Sequence, residues 1–294
     1  MTRARGTALG ALAIAAWSCY GVLLASNHAT PPFTAMAIVF SCASAVLLLR
    51  RIILGQGLAG VFSIPASTLV LGFIGLFGSN CLYVVALAMG GNPVSVNIAS
   101  LSWPVFMVIL VAGFGIARAT WLDAAAMVLG FAGVILLATQ GSAIAIAWPV
   151  VLAVLGALSW AIYSAFRTRV PAGPADSMIA FVGLSALACW AISLVFETGM
   201  PPFAEFIRLA LVGIIPVGLA NLAWDLGARH GDPVLLAGLS FLEPVASTAL
   251  IAYVLSKPVS TIDIGALALV LIAVLFSIMS ERLRRRRASL LPAA

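Results

Sequence analysis

Charged side chains are scarce: they make up 8% of the 294 residues, where a soluble domain carries about a quarter. Hydrophobic residues make up 63%. A globular core of this length could not bury so much apolar surface, so lipid is the expected solvent. Histidine is limited to His28 and His230, and no H-E-x-x-H occurs, which leaves intramembrane metalloprotease chemistry without ligands. The four cysteines, Cys19, Cys42, Cys81 and Cys189, each lie inside an apolar run and form no C-x-x-C. They read as small apolar residues rather than disulfides or metal ligands. No G-x-x-x-x-G-K-S/T is present, which excludes a P-loop ATPase. Gly238-Leu239-Ser240 does not extend to a G-x-S-x-G elbow. No cofactor is expected, and catalysis is disfavoured.

Long polar stretches are missing too. The connections are short and carry helix breakers: Pro31-Pro32, Gly55-Gln56-Gly57, Gly90-Gly91-Asn92-Pro93, Pro171 to Pro174, Pro201-Pro202 and Lys257-Pro258. No loop could fold as a separate domain, so function must lie in the bundle or at its mouths.

What remains is a series of apolar runs, each close to the roughly 20 residues that cross a hydrocarbon core. The spans are predicted near 7–26, 33–53, 65–88, 92–115, 119–139, 148–167, 176–196, 203–228, 232–255 and 261–280. The first run, behind Arg3 and Arg5, imitates a signal peptide. Nine more follow it, so it is expected to be a retained helix.

Lys and Arg orient the bundle. With the N-terminus in the cytoplasm, the inside set is Arg3, Arg5, Arg50, Arg51, Arg118, Arg167, Arg169, Arg229, Arg282 and Arg284 to Arg287. The outside set is Arg208 and Lys257, which completes the 15 basic residues. The split supports the span count and two cytoplasmic termini. The net charge of +6 is thus a topology signal, and nucleic acid is not an expected partner. The Arg284–Arg287 run reads as a cytoplasmic stop and lipid-headgroup anchor.

An internal repeat divides the spans. At an offset of 140, Gly91 meets Gly231, Pro93 meets Pro233, Ser100 meets Ser240, Pro104 meets Pro244 and Asp123 meets Asp263. At an offset of 143, Trp17 and Tyr20 meet Trp160 and Tyr163. Each half then holds five spans. Five is odd, so the second half starts on the opposite side and the repeats must be inverted. The expected fold is an all-α polytopic membrane protein of ten transmembrane helices. Residues 1–140 form the first five-helix repeat, 141–281 the second, inverted one, and 282–294 a basic cytoplasmic tail. Inverted repeats are a frequent device of secondary transporters, with the site near the midplane between the halves. A complete inverted pair in one chain predicts a functional monomer in the lipid bilayer.

NPVSVNIASLSWPVFMVIL at 92–110 and GDPVLLAGLSFLEPVASTAL at 231–250 resemble the fourth and ninth helices of the drug/metabolite transporter superfamily, EamA branch. Leu242-Glu243-Pro244-Val245 is the most recognisable piece. The ten-span layout resembles that family over essentially the whole chain, and within it the sequence is similar to the YddG-type amino-acid exporters. The resemblance implies export of amino acids and related small metabolites by alternating access. It also suggests that the Glu243-Pro244 pair is a family feature, which favours a structural or gating role for Glu243.

Midspan residues that lipid would reject are the candidates for a central path. Gly10, Trp17 and Gly21 share a helix face, with Tyr20 one turn from Trp17; Gly156, Trp160 and Tyr163 do the same in the sixth span. Each aromatic could wall a cavity or pack in the bundle, and the repeat pairing favours lining for the set. Ser79, Asn80 and Tyr83 in the third span, and Trp224 in the eighth, are further lining candidates. Asn221 is read as bonding a neighbouring helix. Pro104 and Pro244 each free the carbonyl four residues back, on Ser100 and Ser240, so both helices should loosen there and could hinge. Trp103 and Glu243 precede the prolines and should project from the weakened turns. Glu243 shares a face with Ser240 and Ser247, and a charge at a helix centre costs roughly 3 kcal/mol. It reads as a coupling or substrate-amine site, or as a neutral acid satisfied by its neighbours. Near the span ends, Asp123 and Asp263 suit helix N-termini, Asp176 an N-cap, and Asp225 with Arg229 a pair four residues apart. His28 is read as a solvated loop residue.

The leading expectation is a secondary exporter of amino acids, aromatic or apolar ones among them. A permease for another small metabolite or a drug-like cation is the alternative. An intramembrane enzyme would need a catalytic cluster at one interface, and the sequence offers none.

Overall fold

The computed structural model describes residues 2–27, 29–57, 61, 63–103, 106, 109–110, 113–115, 120–139, 147–166, 169–170, 177–231 and 242–290. The secondary structure among them is helical. The helices are α1 (Arg3–Ala25), α2 (Pro32–Ile53), α3 (Ala66–Ala88), α4 (Pro93–Ser100), α5 (Trp121–Thr139), α6 (Trp148–Phe166) and α7 (Ser177–Phe196). After them come α8 (Phe203–Val212, continuing through Gly213–Ala220 and Asn221–His230), α9 (Leu242–Val254) and α10 (Thr261–Leu290). Seven of these, α1, α2, α3, α6, α7, α8 and α10, are long and apolar enough to cross a membrane. In α5 the apolar stretch is the shorter Trp121–Leu136. Residues 104, 105, 107, 108, 111 and 112 of the expected fourth span and 232–241 of the ninth lie outside the described residues.

Local chemistry starts and stops these helices. Pro32 and Pro93 open α2 and α4, where a missing N–H costs nothing. Asn92 caps α4, accepting from the Val94 N–H at 2.9 Å. The repeat partners Asp123 and Asp263 close matching capping boxes. Asp123 accepts from the Thr120 N–H at 2.6 Å, and Asp263 from the Ser260 N–H at 3.0 Å. Each returns its own N–H to the hydroxyl of that partner, at 3.4 and 3.1 Å. Behind α2 and α3 the chain turns at Gly55 and Gly90, with φ of +66° and +79°, a conformation open to glycine at little cost. The helix of α10 continues ten residues past the expected span end at 280, to Leu290. Arg is a good helix former, so the helix runs on where hydropathy stops.

Small residues let the helices meet closely. Gly6 and Gly10 of α1 lie against Gly231 and Gly227: a Cβ on Gly227 would stand 2.8 Å from the Gly10 Cα, and one on Gly6 2.6 Å from the Gly231 nitrogen. Gly75 and Gly78 of α3 lie against Tyr163 and Ser159 of α6, and Gly213 of α8 against the Val39 backbone of α2. Without a hydrophobic force between helices in lipid, such close backbone approach is what holds a bundle together. Phe40, Phe181 and Leu209 are fully buried within the bundle, whereas Leu194 and Phe196 are 80% exposed on the outside, as a lipid-facing surface requires.

Two helices carry a wide, π-helical turn: α3 over Ile74–Gly78 and α8 over Gly213–Ala220. In α8 the turn contains Pro216, which cannot donate the usual backbone bond. Such turns cluster at functional sites. An asparagine follows each one. Asn80 donates to the Leu76 carbonyl at 2.7 Å, and Asn221 to the Val217 carbonyl at 2.8 Å.

Candidate functional site

The two wide turns face one cavity of about 400 Å³. Trp17 and Tyr20 of α1, Ser79, Asn80 and Tyr83 of α3, Ser100 at the end of α4, Trp103, Trp160 of α6, Trp224 of α8 and Glu243 of α9 all line it. All ten are midspan candidates by sequence. Tyr163 is not among the lining residues; it stands behind Trp160, with ring centroids 5.1 Å apart, and closes the α3 crossing at Gly75. Pro244 is buried near the start of α9. Pro104, Ser240, His28 and Asp176 lie outside the described residues, as do the side chains of Asp225 and Arg229. Before Pro104, α4 ends at Ser100 and the chain turns at Leu101 and Ser102.

The wall also includes Leu76, Leu101, Gly156, Ala157, Ser164, Pro216, Val217 and Asn221. Asn221, read from the sequence as a helix–helix bond, faces the cavity while its amide is tied to its own helix. Pairing it with Asn80 at an offset of 141 was the signal that could have found it.

The aromatic residues are fixed by their polar ends. The Trp17 indole N–H donates to the Pro216 carbonyl at 3.1 Å, and its ring meets Trp224 at a centroid distance of 5.3 Å. The Tyr20 hydroxyl donates to Oδ1 of Asn80, and its ring lies 5.8 Å from that of Tyr83. Among the described residues, the buried Tyr83 hydroxyl has no hydrogen-bond partner. Glu243 is half-buried, and among the described residues its carboxylate accepts no hydrogen bond. It is the sole charged side chain in the described lining.

A second cavity, of about 670 Å³, lies further along the same helices, between Leu24, Thr30, Leu87, Pro93 and Lys257. Chain order shows what separates the two. On α1, Gly21 falls between Tyr20 and Leu24; on α4, Asn97 falls between Pro93 and Ser100; on α9, Ser247 and Thr248 fall between Glu243 and Leu255. These residues meet. Ser247 donates to Oδ1 of Asn97 at 3.1 Å, and the Asn97 amide reaches the Thr248 hydroxyl at 3.5 Å. A Cβ on Gly21 would come within 2.7 Å of Asn97 Oδ1 and 3.0 Å of the Tyr83 hydroxyl. A polar, glycine-tight partition thus closes one cavity from the other.

The described chain is thus an all-helical, multi-pass bundle around an aromatic-walled cavity. The profile of the EamA-like transporter family matches residues 147–279. The aromatic amino acid exporter YddG of Ancylobacter novellus is 31% identical over 257 residues, covering 85% of this chain and 89% of that protein. The exporter of the same name from Salmonella typhimurium is 26% identical over 285 residues, covering 88% and 92%. A solved crystal structure superposes with a TM-score of 0.70 and 28% identity over 96% of this chain and 99% of the other. The chain belongs to the EamA family of the drug/metabolite transporter superfamily.

Proposed function

We propose that this protein is a secondary exporter of amino acids, aromatic and apolar ones among them, working by alternating access. The observation that carries the reading is the cavity of about 400 Å³ walled by Trp17, Tyr20, Trp103, Trp160 and Trp224. Aromatic faces suit an apolar or aromatic side chain, and the few polar groups between them suit its backbone end. The relatives named as exporters of aromatic amino acids support the same cargo.

The layout is ten spans as two inverted repeats, 1–140 and 141–281, with 282–294 a basic tail. Matched features support it. The packing of α1 on α8 has its counterpart in that of α6 on α3, and the wide turns followed by Asn80 and Asn221 correspond. So do the two capping boxes. The distribution of Arg and Lys supports two cytoplasmic termini in the bacterial inner membrane, and a complete repeat pair supports a functional monomer. Ser100, Ser240 and the lining residues hold the substrate, Glu243 couples or gates, and Pro104 and Pro244 are the hinges. The closed partition at Asn97 and Gly21 suits one stage of alternating access.

The test is counterflow. Purified protein in liposomes preloaded with an unlabelled amino acid should accumulate the same labelled amino acid from outside. If no amino acid, labelled and tested singly, moves faster than in protein-free liposomes, the reading fails.

A further inference from the structure

An amino acid brings two charges to its site, an ammonium and a carboxylate. The described lining of this cavity answers only one of them. Among the described residues, Glu243 offers a carboxylate with no hydrogen-bond donor of its own, and neither Lys, Arg nor His occurs in the described lining. The nearest basic side chain on α9 or just beyond it, Lys257, belongs to the other cavity, behind the Asn97 partition.

The walls point the same way. Trp17, Trp103, Trp160 and Trp224 surround the space, and the face of an indole carries negative potential that attracts a cation. A substrate carboxylate would meet those faces unfavourably, with neutral donors such as the buried Tyr83 hydroxyl as its partners. An ammonium meets both a carboxylate and aromatic faces. Charge-assisted hydrogen bonds are roughly twice as strong as neutral ones, so the amine end has the stronger hold.

We propose that the cavity recognises its cargo through the ammonium and the aromatic side chain, and that the protein therefore also binds and exports aromatic monoamines that have no carboxylate. This rests on the export reading for the transport step, but the binding preference stands on the cavity alone. Glu243 then takes the substrate amine rather than serving only the helix that carries it.

Binding can be read directly, because four tryptophans face the space. Detergent-purified protein would be titrated with phenylalanine, phenethylamine and 3-phenylpropionate while its tryptophan emission is followed. Phenethylamine should saturate the signal at concentrations similar to phenylalanine. The acid, which lacks the ammonium, should bind at least about tenfold more weakly, as expected for losing one charge-assisted hydrogen bond. In Glu243→Gln, the preference for the amine over the acid should collapse. The wild-type ranking decides the matter even if that variant fails to fold. Phenethylamine binding no better than 3-phenylpropionate overturns the inference, whether or not phenylalanine is exchanged. Competition by phenethylamine in phenylalanine counterflow tests the transport half. Amine binding without any amino-acid exchange would remove the export reading and leave the recognition rule intact.

Discussion

The Ser247 hydroxyl donates to Oδ1 of Asn97 across 3.1 Å, and that bond ties α9 to α4 between the two cavities. Both residues are buried, and the Asn97 amide extends the tie to Thr248. Asn97→Ala would strand two buried hydroxyls at a cost of about 1–3 kcal/mol. The expected result is a lower melting temperature together with faster amino-acid counterflow, because the partition would open more readily. Unchanged melting and unchanged flux would show the bond to be incidental.

Trp17 holds its place by two contacts that can be separated. Its N–H bonds the Pro216 carbonyl at 3.1 Å, and its ring meets Trp224. Trp17→Phe keeps an aromatic face and removes the donor. One hydrogen bond of about 1 kcal/mol corresponds to roughly fivefold in affinity if it orients the wall. Trp17→Ala should lose more, since aromatic pairing adds about 0.5–1.5 kcal/mol. Amino-acid titrations of the two variants measure this. A Phe variant that binds like the parent would show that the indole bond does not set the site.

Span positions were legible because hydropathy and length act along the chain: 33–53 and 65–88 were expected where Pro32–Ile53 and Ala66–Ala88 stand. Ten cavity residues are legible because aromatic and polar side chains at midspan, some of them in repeat pairs, mark them. The wide turns were not. They lie where Gly75, Gly78 and Gly213 meet Tyr163, Ser159 and Val39, and that packing joins segments distant in the chain. Tyr163 shows the same limit: it shares a helix face with Trp160, yet that face is wide enough for one ring to line the space and the other to seal a crossing. The Asn97 partition was missed because its members are ordinary small polar residues whose meaning comes from being opposite one another.

The α3–α6 crossing makes a separate prediction. A methyl on Gly75 would run into the Tyr163 side chain, while one on Gly57 would meet nothing within 4 Å. Overpacking of this kind costs about 1–3 kcal/mol. Gly75→Ala should therefore melt well below the parent, with Gly57→Ala indistinguishable from it. Equal melting of both variants would mean that α3 and α6 can separate freely.

Glu197 pins the start of α2. It follows α7 and accepts from the first N–H groups of α2: Phe33 at 2.9 Å, Thr34 at 2.7 Å, and the Thr34 hydroxyl at 2.9 Å. Ser193 adds a 2.6 Å bond to the same hydroxyl. A carboxylate suits this position twice, by accepting on both oxygens and by facing the positive end of a helix. Glu197→Gln keeps the size but turns one oxygen into an NH₂ that would face a backbone donor. The expected loss is about 1.5–3 kcal/mol, the range for a hydrogen bond to a charged group. It should appear as a lower melting temperature and as faster hydrogen exchange at the Phe33 and Thr34 amides. The effect should be local, because Thr30, Pro31 and Pro32, just ahead of those amides, line the second cavity, whereas the aromatic site lies beyond the Asn97 partition. Amino-acid binding by the variant should therefore stay at the parent value. A variant that keeps its exchange protection would show that α2 is held by its buried face alone, and that Glu197 adds nothing to its start.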